Sequence, residues 1–413
     1  MAKRQEILKI VSLFTVFSLF TTQIFGKPTE KGAVTNPVIL VPGDGGSQFF
    51  AKLSKPSVIH YWCSQHTTAY FSLWLNLEMV SPFVLDCFVD NLRLVYNETS
   101  RKTSNSPGVD IQIREFGNTS SVEWLDPSQV SPTSYFSPIA NALVKAGYQR
   151  GKSIRGAPYD FRKAPNELQD FFVKFKALVE DTYKINDNKK VVFVCHSMGN
   201  VMMLYFLNQQ KQSWKDKFVS SMISLSGPWG GAAKTLRLMA SGDNLGLFVV
   251  NPFTVRPEQR SMPSSAWLLP YDNFWDKDEI VVSQPNANYT VHDYKQFFED
   301  IKFPNGFHMR EDTKNLLQGS EVAPGIEVHC MNGIKVQTPA SFKYSAKQWP
   351  DRQPDTIYGD GDGTVNQRSL YGFKRWQSKQ KQKITHTEYA GVDHMQILGH
   401  DKTIADIRDI LGV

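Results

Sequence analysis

The chain has 413 residues, of which 41% are hydrophobic and 21% charged, with 27 Gly, 22 Pro and four Cys. That is ample apolar material for a packed core, and it excludes a disordered, collagen-like or small disulfide-scaffold protein. The formal charge of +6 is a mild basicity that favours anionic surfaces over any particular partner.

Met1 to Gly26 reads as a secretory signal. Lys3, Arg4 and Lys9 precede an apolar stretch from Ile10 to Phe20, which is too short and too rich in Ser and Thr to span a bilayer. An uncleaved signal anchor is the weaker reading. Removal of residues 1–26 leaves a net charge of about +4. No later segment is long and charge-free enough for a transmembrane helix, so a soluble mature protein is expected. Sequons at Asn97, Asn118 and Asn288 agree with secretion and predict exposed asparagines.

Asn36 to Ser47 is a short apolar run that breaks into a Gly-rich loop, the pattern of a buried strand emptying into a functional turn. Between Tyr61 and about Arg101, Phe71, Leu73, Trp74, Leu77, Phe83 and Phe88 make an unusually apolar stretch. It reads either as an amphipathic element that dips into a lipid surface or as a helix covering the core. Cys63 and Cys87 bracket most of it and suit a local disulfide in an oxidising compartment. Cys195 reads as buried and free, and a Cys195–Cys330 bridge stays open at this level.

Phe136 to Gly147 and Asn166 to Tyr183 have helical spacing, while Lys189 to His196, Phe218 to Leu225 and Thr385 to Ala390 read as strands. Strands alternating with helices predict an α/β fold with a mainly parallel sheet covered on both faces. Gly230 to Cys330 breaks this rhythm and looks like an inserted cap. The division expected is a signal at 1–26, a core made of 35–60, 131–229 and 331–413, a membrane-binding subdomain and the start of a cap at 61–130, and a cap with a lid loop at 230–330.

Chemistry concentrates after the strand that ends at His196. Ser197 in Cys195-His196-Ser197-Met198-Gly199 lies between that strand and a helix, where a sharp turn exposes a hydroxyl. The usual first Gly of this elbow is Cys195 here. A serine hydroxyl needs a base within reach and an acid to orient the base. Downstream, Asp360 and Asp362 lie in a Gly-Asp-Gly-Asp-Gly run and His394 in a loop after the last strand, which is the Ser, acid, His order of an α/β-hydrolase. Asp362 is the chosen acid, with Asp360 as the alternative. A calcium loop is disfavoured because the further acids and the closing Glu are missing. His196, His386 and His400 read as structural. The backbone N–H groups of Asp44 and Met198 are the expected oxyanion donors.

The set Val41 to Gln48, Gly156 to Arg162, His196 to Asn200, Ser226 to Gly231, Trp267 to Pro270 and Gly359 to Val365 resembles the lecithin:cholesterol acyltransferase family, on its lysosomal phospholipase side, from about Pro37 to the C-terminus. The resemblance implies an α/β-hydrolase core with a cap and a small membrane-binding subdomain around a Cys63–Cys87 loop. Leu73, Trp74, Leu77 and Phe83 would meet the membrane, Ser197, Asp362 and His394 would form the triad, and Gly246 to Arg260 would match a lid loop. It also implies a phospholipid acyl donor, passage of the acyl group to water or to a lipid alcohol such as ceramide, and residence in the lysosome lumen or outside the cell. No cofactor, metal or nucleic acid is expected, and a monomer is. A sterol-directed acyltransferase, an inactive lipid-binding protein and a neutral esterase or triglyceride lipase are the alternatives. One departure stands out: Ser369 to Trp376 has no Cys where the family's second disulfide would need one, so Cys330 is expected to be unpaired.

Overall fold

The computed structural model describes residues 36–79, 81, 84–244 and 250–413. The expected signal at 1–26, Phe83, and residues 246–249 of the expected lid loop lie outside the described residues. Six strands, β1 (Val38–Val41), β2 (Ile154–Gly156), β3 (Val191–His196), β4 (Val219–Leu225), β5 (Glu327–Ile334) and β6 (Ile384–Ala390), form one sheet in the order β6-β5-β4-β3-β1-β2. Every pairing within it is parallel.

The sequence reason is the continuous apolar character of β1 and β3, each buried at every position, as a sheet covered on both faces requires. Successive side chains alternate between two cores. Ile39, Val41, Phe193 and Cys195 face a core filled by Phe171, Phe175 and Leu178 of α2 (Gln169–Ile185) and by Val201 and Leu204 of α3 (Met198–Asn208). Val38, Leu40, Val192 and Val194 face the other, filled by Ile139 and Leu143 of α1 (Ser137–Lys145) and by Ile407 and Leu411 of α4 (Asp401–Leu411). The chain goes from β1 to β2 on one side and then returns to place β3 on the other, so β1 and β3 flank a switch point, where crevices form at strand C-termini.

Register closes the question of the second disulfide. Cys195 of β3 and Cys330 of β5 both face Ser224 of the intervening β4. They are two strand spacings apart, about 10 Å, which is beyond disulfide reach. Both are free and buried.

Phe49–Leu53 pairs antiparallel with Phe71–Trp74 and with Val109–Ile113 in a small separate sheet. A Cys63–Cys87 disulfide ties the loop beside it to the helix Leu85–Leu92. The three described residues expected to meet a membrane differ in exposure. Leu73 is fully buried in the core, because strand alternation turns it inward, and this corrects its assignment. Trp74 is partly buried against Phe161 and Phe88, with its indole N–H donating to the carbonyl of Gly45 at 2.7 Å. It therefore packs on the loop after β1 instead of projecting outward. Leu77 is exposed, and the exposed apolar side chains among the described residues near it include Ile59, Tyr61, Trp62 and Val95.

The inserted region has a sheet of its own, in which Ala287–Tyr289 and Val282–Gln284 pair onward to Thr338–Lys343 and Asp355–Gly359. The hairpin formed by the last two strands is expected in the core from sequence, yet it pairs with Val282–Gln284 of the inserted segment, while β5 already belongs to the main sheet from Glu327 onward. Among the described residues no helix is long and apolar enough to cross a membrane.

Candidate active site

Ser197 occupies the turn between β3 and α3 with φ 52° and ψ −128°, a backbone state that side chains seldom adopt. The surrounding structure enforces it. The Ser197 N–H donates to the carbonyl of Leu225 at 3.0 Å, and the Asn200 amide donates to the carbonyls of Ser197 and Leu225 at 3.0 and 2.9 Å. A Cβ on Gly199 would lie 2.5 Å from the carbonyl oxygens of Val41 and Pro42, so the helix approaches β1 only with glycine there. Cys195, at the elbow's usual first glycine, faces the core from β3, where a small side chain fits.

His394, in the loop after β6, places Nε2 2.9 Å from Ser197 Oγ and Nδ1 2.7 Å from Asp362 Oδ2. A carboxylate can only accept, so Nδ1 carries the proton and Nε2 is left as the acceptor for the serine hydroxyl. Burial alone would raise the Asp362 pKa. His394 and the N–H groups of Val365 and Thr364 outweigh it and hold the carboxyl below the ordinary value. Asp360 serves the turn instead, accepting from the N–H groups of Lys335 and Gly361 and from the Gln367 amide. Of the two carboxyls, Asp362 is the one that faces His394.

The loop after β1 lies against the start of α3. A Cβ on Gly43 would be 2.6 Å from Ser197 Cβ and 3.3 Å from Met198 N, which places Asp44 next to the serine and Met198 at a helix N-terminus whose dipole favours negative charge. Asp44 is solvent-accessible, with protein packed around it on the other sides. The loss of water pushes its pKa up to about 6, against the lowering effects of the Gly45 N–H and Lys234. Glu258, buried in the helix Pro252–Gln259, is pushed up to about 8 by burial and by the nearby Asp44, with Arg162 opposing.

Sequence reasoning missed Tyr135 and did not foresee the roles of Asn200 and Trp74 here. Tyr135 bonds His196 Nδ1 at 2.5 Å and accepts the Gly43 N–H at 3.0 Å, Asn200 braces the elbow, and Trp74 packs on Gly45. No local signal marks Tyr135, which acts on a residue 92 positions away. The other histidines have partners that fit structural roles: His386 meets Asn332 and the ring of Phe373, and His400 bonds Thr403 at the start of α4. Asn97, Asn118 and Asn288 are all exposed. Among the described residues no cluster of His, Cys, Asp and Glu could hold a metal ion.

A parallel sheet covered on both faces, with a strained serine at the elbow of a central strand and a histidine and aspartate aligned behind it, defines an α/β-hydrolase of the serine type. Residues 70–401 match the lecithin:cholesterol acyltransferase family, and the chain belongs to it. It is 48% identical over 375 residues to the lysosomal phospholipase A and acyltransferase of Rattus norvegicus, covering 91% of this chain and 90% of that one. The enzyme of the same name from Homo sapiens is 46% identical over 396 residues, covering 96% and 95%. The phosphatidylcholine-sterol acyltransferase of Gallus gallus is 42% identical over 393 residues, covering 95% and 93%.

Proposed function

We propose that this chain is a phospholipid acyl hydrolase and transacylase that works through an acyl-serine on Ser197. The observation that carries the reading is the unbroken line from Asp362 through His394 to the Ser197 hydroxyl. His394 takes the serine proton as Oγ attacks the ester carbonyl, and Asp362 holds the imidazole in the tautomer that can accept it. The N–H groups of Asp44 and Met198 receive the oxyanion. Protonated His394 then returns the proton to the leaving lysophospholipid oxygen, and water or a lipid hydroxyl such as that of ceramide attacks the acyl-serine with the same base.

The names of the relatives support the substrate class. Lipid contact is assigned to the disulfide-tied subdomain through Ile59, Tyr61, Trp62 and Leu77, whose exposed apolar side chains suit an interface. Mild basicity favours anionic lipid, and the enzyme acts as a monomer. The sequons and the lysosomal relatives support residence in the lysosome lumen, with secretion as the second destination. A serine-directed fluorophosphonate that labels the wild-type protein but not Ser197→Ala, together with fatty acid release from phospholipid vesicles, tests the reading. Failure to label would revive a lipid-binding protein without turnover.

A further inference from the structure

His196 and Tyr135 connect all three loops of the site. The His394 carbonyl lies 2.8 Å from His196 Nε2 and can only accept, so Nε2 carries the His196 proton. Nδ1 is then a lone pair facing the Tyr135 hydroxyl, which donates to it, while the tyrosine oxygen accepts the N–H of Gly43. Each polar atom in the chain thus has one partner of the right kind, and the three loops carrying the oxyanion donor, the nucleophile and the base are linked through two side chains. The His394 peptide is clamped on both sides, because its own N–H donates to the Asp362 carbonyl at 2.8 Å. Both linking side chains are almost wholly buried, and the rings of His196 and His394 are 4.8 Å apart.

We propose that His196 and Tyr135 are positioning residues that hold the Gly43–Asp44 loop, the Ser197 elbow and the His394 loop in one register, so that the oxyanion donors and the base are aligned before substrate arrives. This rests on the serine mechanism above. Neither side chain touches the reacting atoms. Burial, reinforced by the neighbouring His394, lowers the His196 pKa to about 3, so the ring keeps the neutral form that the network requires at any pH where the enzyme would work. A register error of about 1 Å between donor and nucleophile is enough to cost two orders of magnitude in rate.

The test compares Tyr135→Phe, His196→Gln and His196→Phe with wild type. It measures kcat and KM on a soluble p-nitrophenyl ester, the second-order rate of Ser197 phosphonylation, and Tm. Tyr135→Phe should lower kcat and the phosphonylation rate by about 10- to 100-fold, with KM changed less than about twofold. His196→Gln retains a donor for the His394 carbonyl and an acceptor for Tyr135, and should recover to within about fivefold of wild type, whereas His196→Phe should not. Wild-type kcat in both phenylalanine variants would overturn the proposal. So would losses that follow Tm alone and fall equally on the Gln and Phe variants. If wild type itself is not phosphonylated, the serine mechanism fails first and the proposal with it.

Discussion

Ser197 bears the largest single effect. Ser197→Ala should lower acyl release by at least about 10⁴-fold while vesicle flotation stays unchanged, because the hydroxyl is needed for chemistry and not for docking. Asp44 gives the site a pH dependence. Its pKa rises from 3.8 to about 6 in the folded protein, so folding takes up a proton there. Because the shift comes from the cost of keeping the ionised form from water, the fold is least burdened below about pH 4 and loses stability as pH rises through about 6, by an amount that the exposure of the side chain reduces. An ionised Asp44 would also repel a developing oxyanion, so activity should fall over the same window. Asp44→Asn keeps the backbone donor and removes the titration. In thermal melts at about pH 4.5 and pH 7 its Tm should change less than that of wild type, and its rate profile should lose the limb near pH 6. Equal pH slopes in the two proteins would exclude this role for Asp44.

At the scale of elements, the elbow was legible because strand, Gly-flanked serine and helix are contiguous in the chain. The acid was read as Asp362 with Asp360 as the alternative, and which of the two turns inward depends on hydrogen bonds to Lys335 and Gln367 that join separate segments. The disulfide-tied subdomain was read less well. Its apolar stretch mixes core and surface positions, and strand alternation buries Leu73 while the loop before Cys63 exposes Tyr61 and Trp62. Two variants separate these roles. Leu73→Ala should cost about 2–5 kcal/mol of stability, read in chemical denaturation. Tyr61→Ser with Trp62→Ser should leave stability within about 0.5 kcal/mol and impair vesicle binding, with soluble-ester turnover spared. Opening the disulfide by Cys63→Ser should cost about 3 kcal/mol, as the release of a loop of 24 residues implies.

For the whole molecule, the alternation of β-rich runs and helical spacing was enough to specify a parallel sheet, and the place of the site follows from where that sheet reverses its order at β1 and β3. The expected cap rests on a break in rhythm, and the pairing of its strands left no mark in the sequence. The hairpin Thr338 to Gly359 joins the cap sheet through Val282–Gln284, a pairing between segments more than 50 residues apart that no local pattern encodes. That arrangement also explains the long gap between nucleophile and acid, because Asp362 follows directly on the hairpin's last strand. The most direct measurement of the central claim follows fatty acid release and acylceramide formation from anionic phosphatidylcholine vesicles containing ceramide, at about pH 4.5 and pH 7, with Ser197→Ala as control. The account predicts release and acylceramide that both require Ser197 and are stronger at the acidic pH, whereas turnover that persists in Ser197→Ala, or none in wild type at either pH, would contradict it.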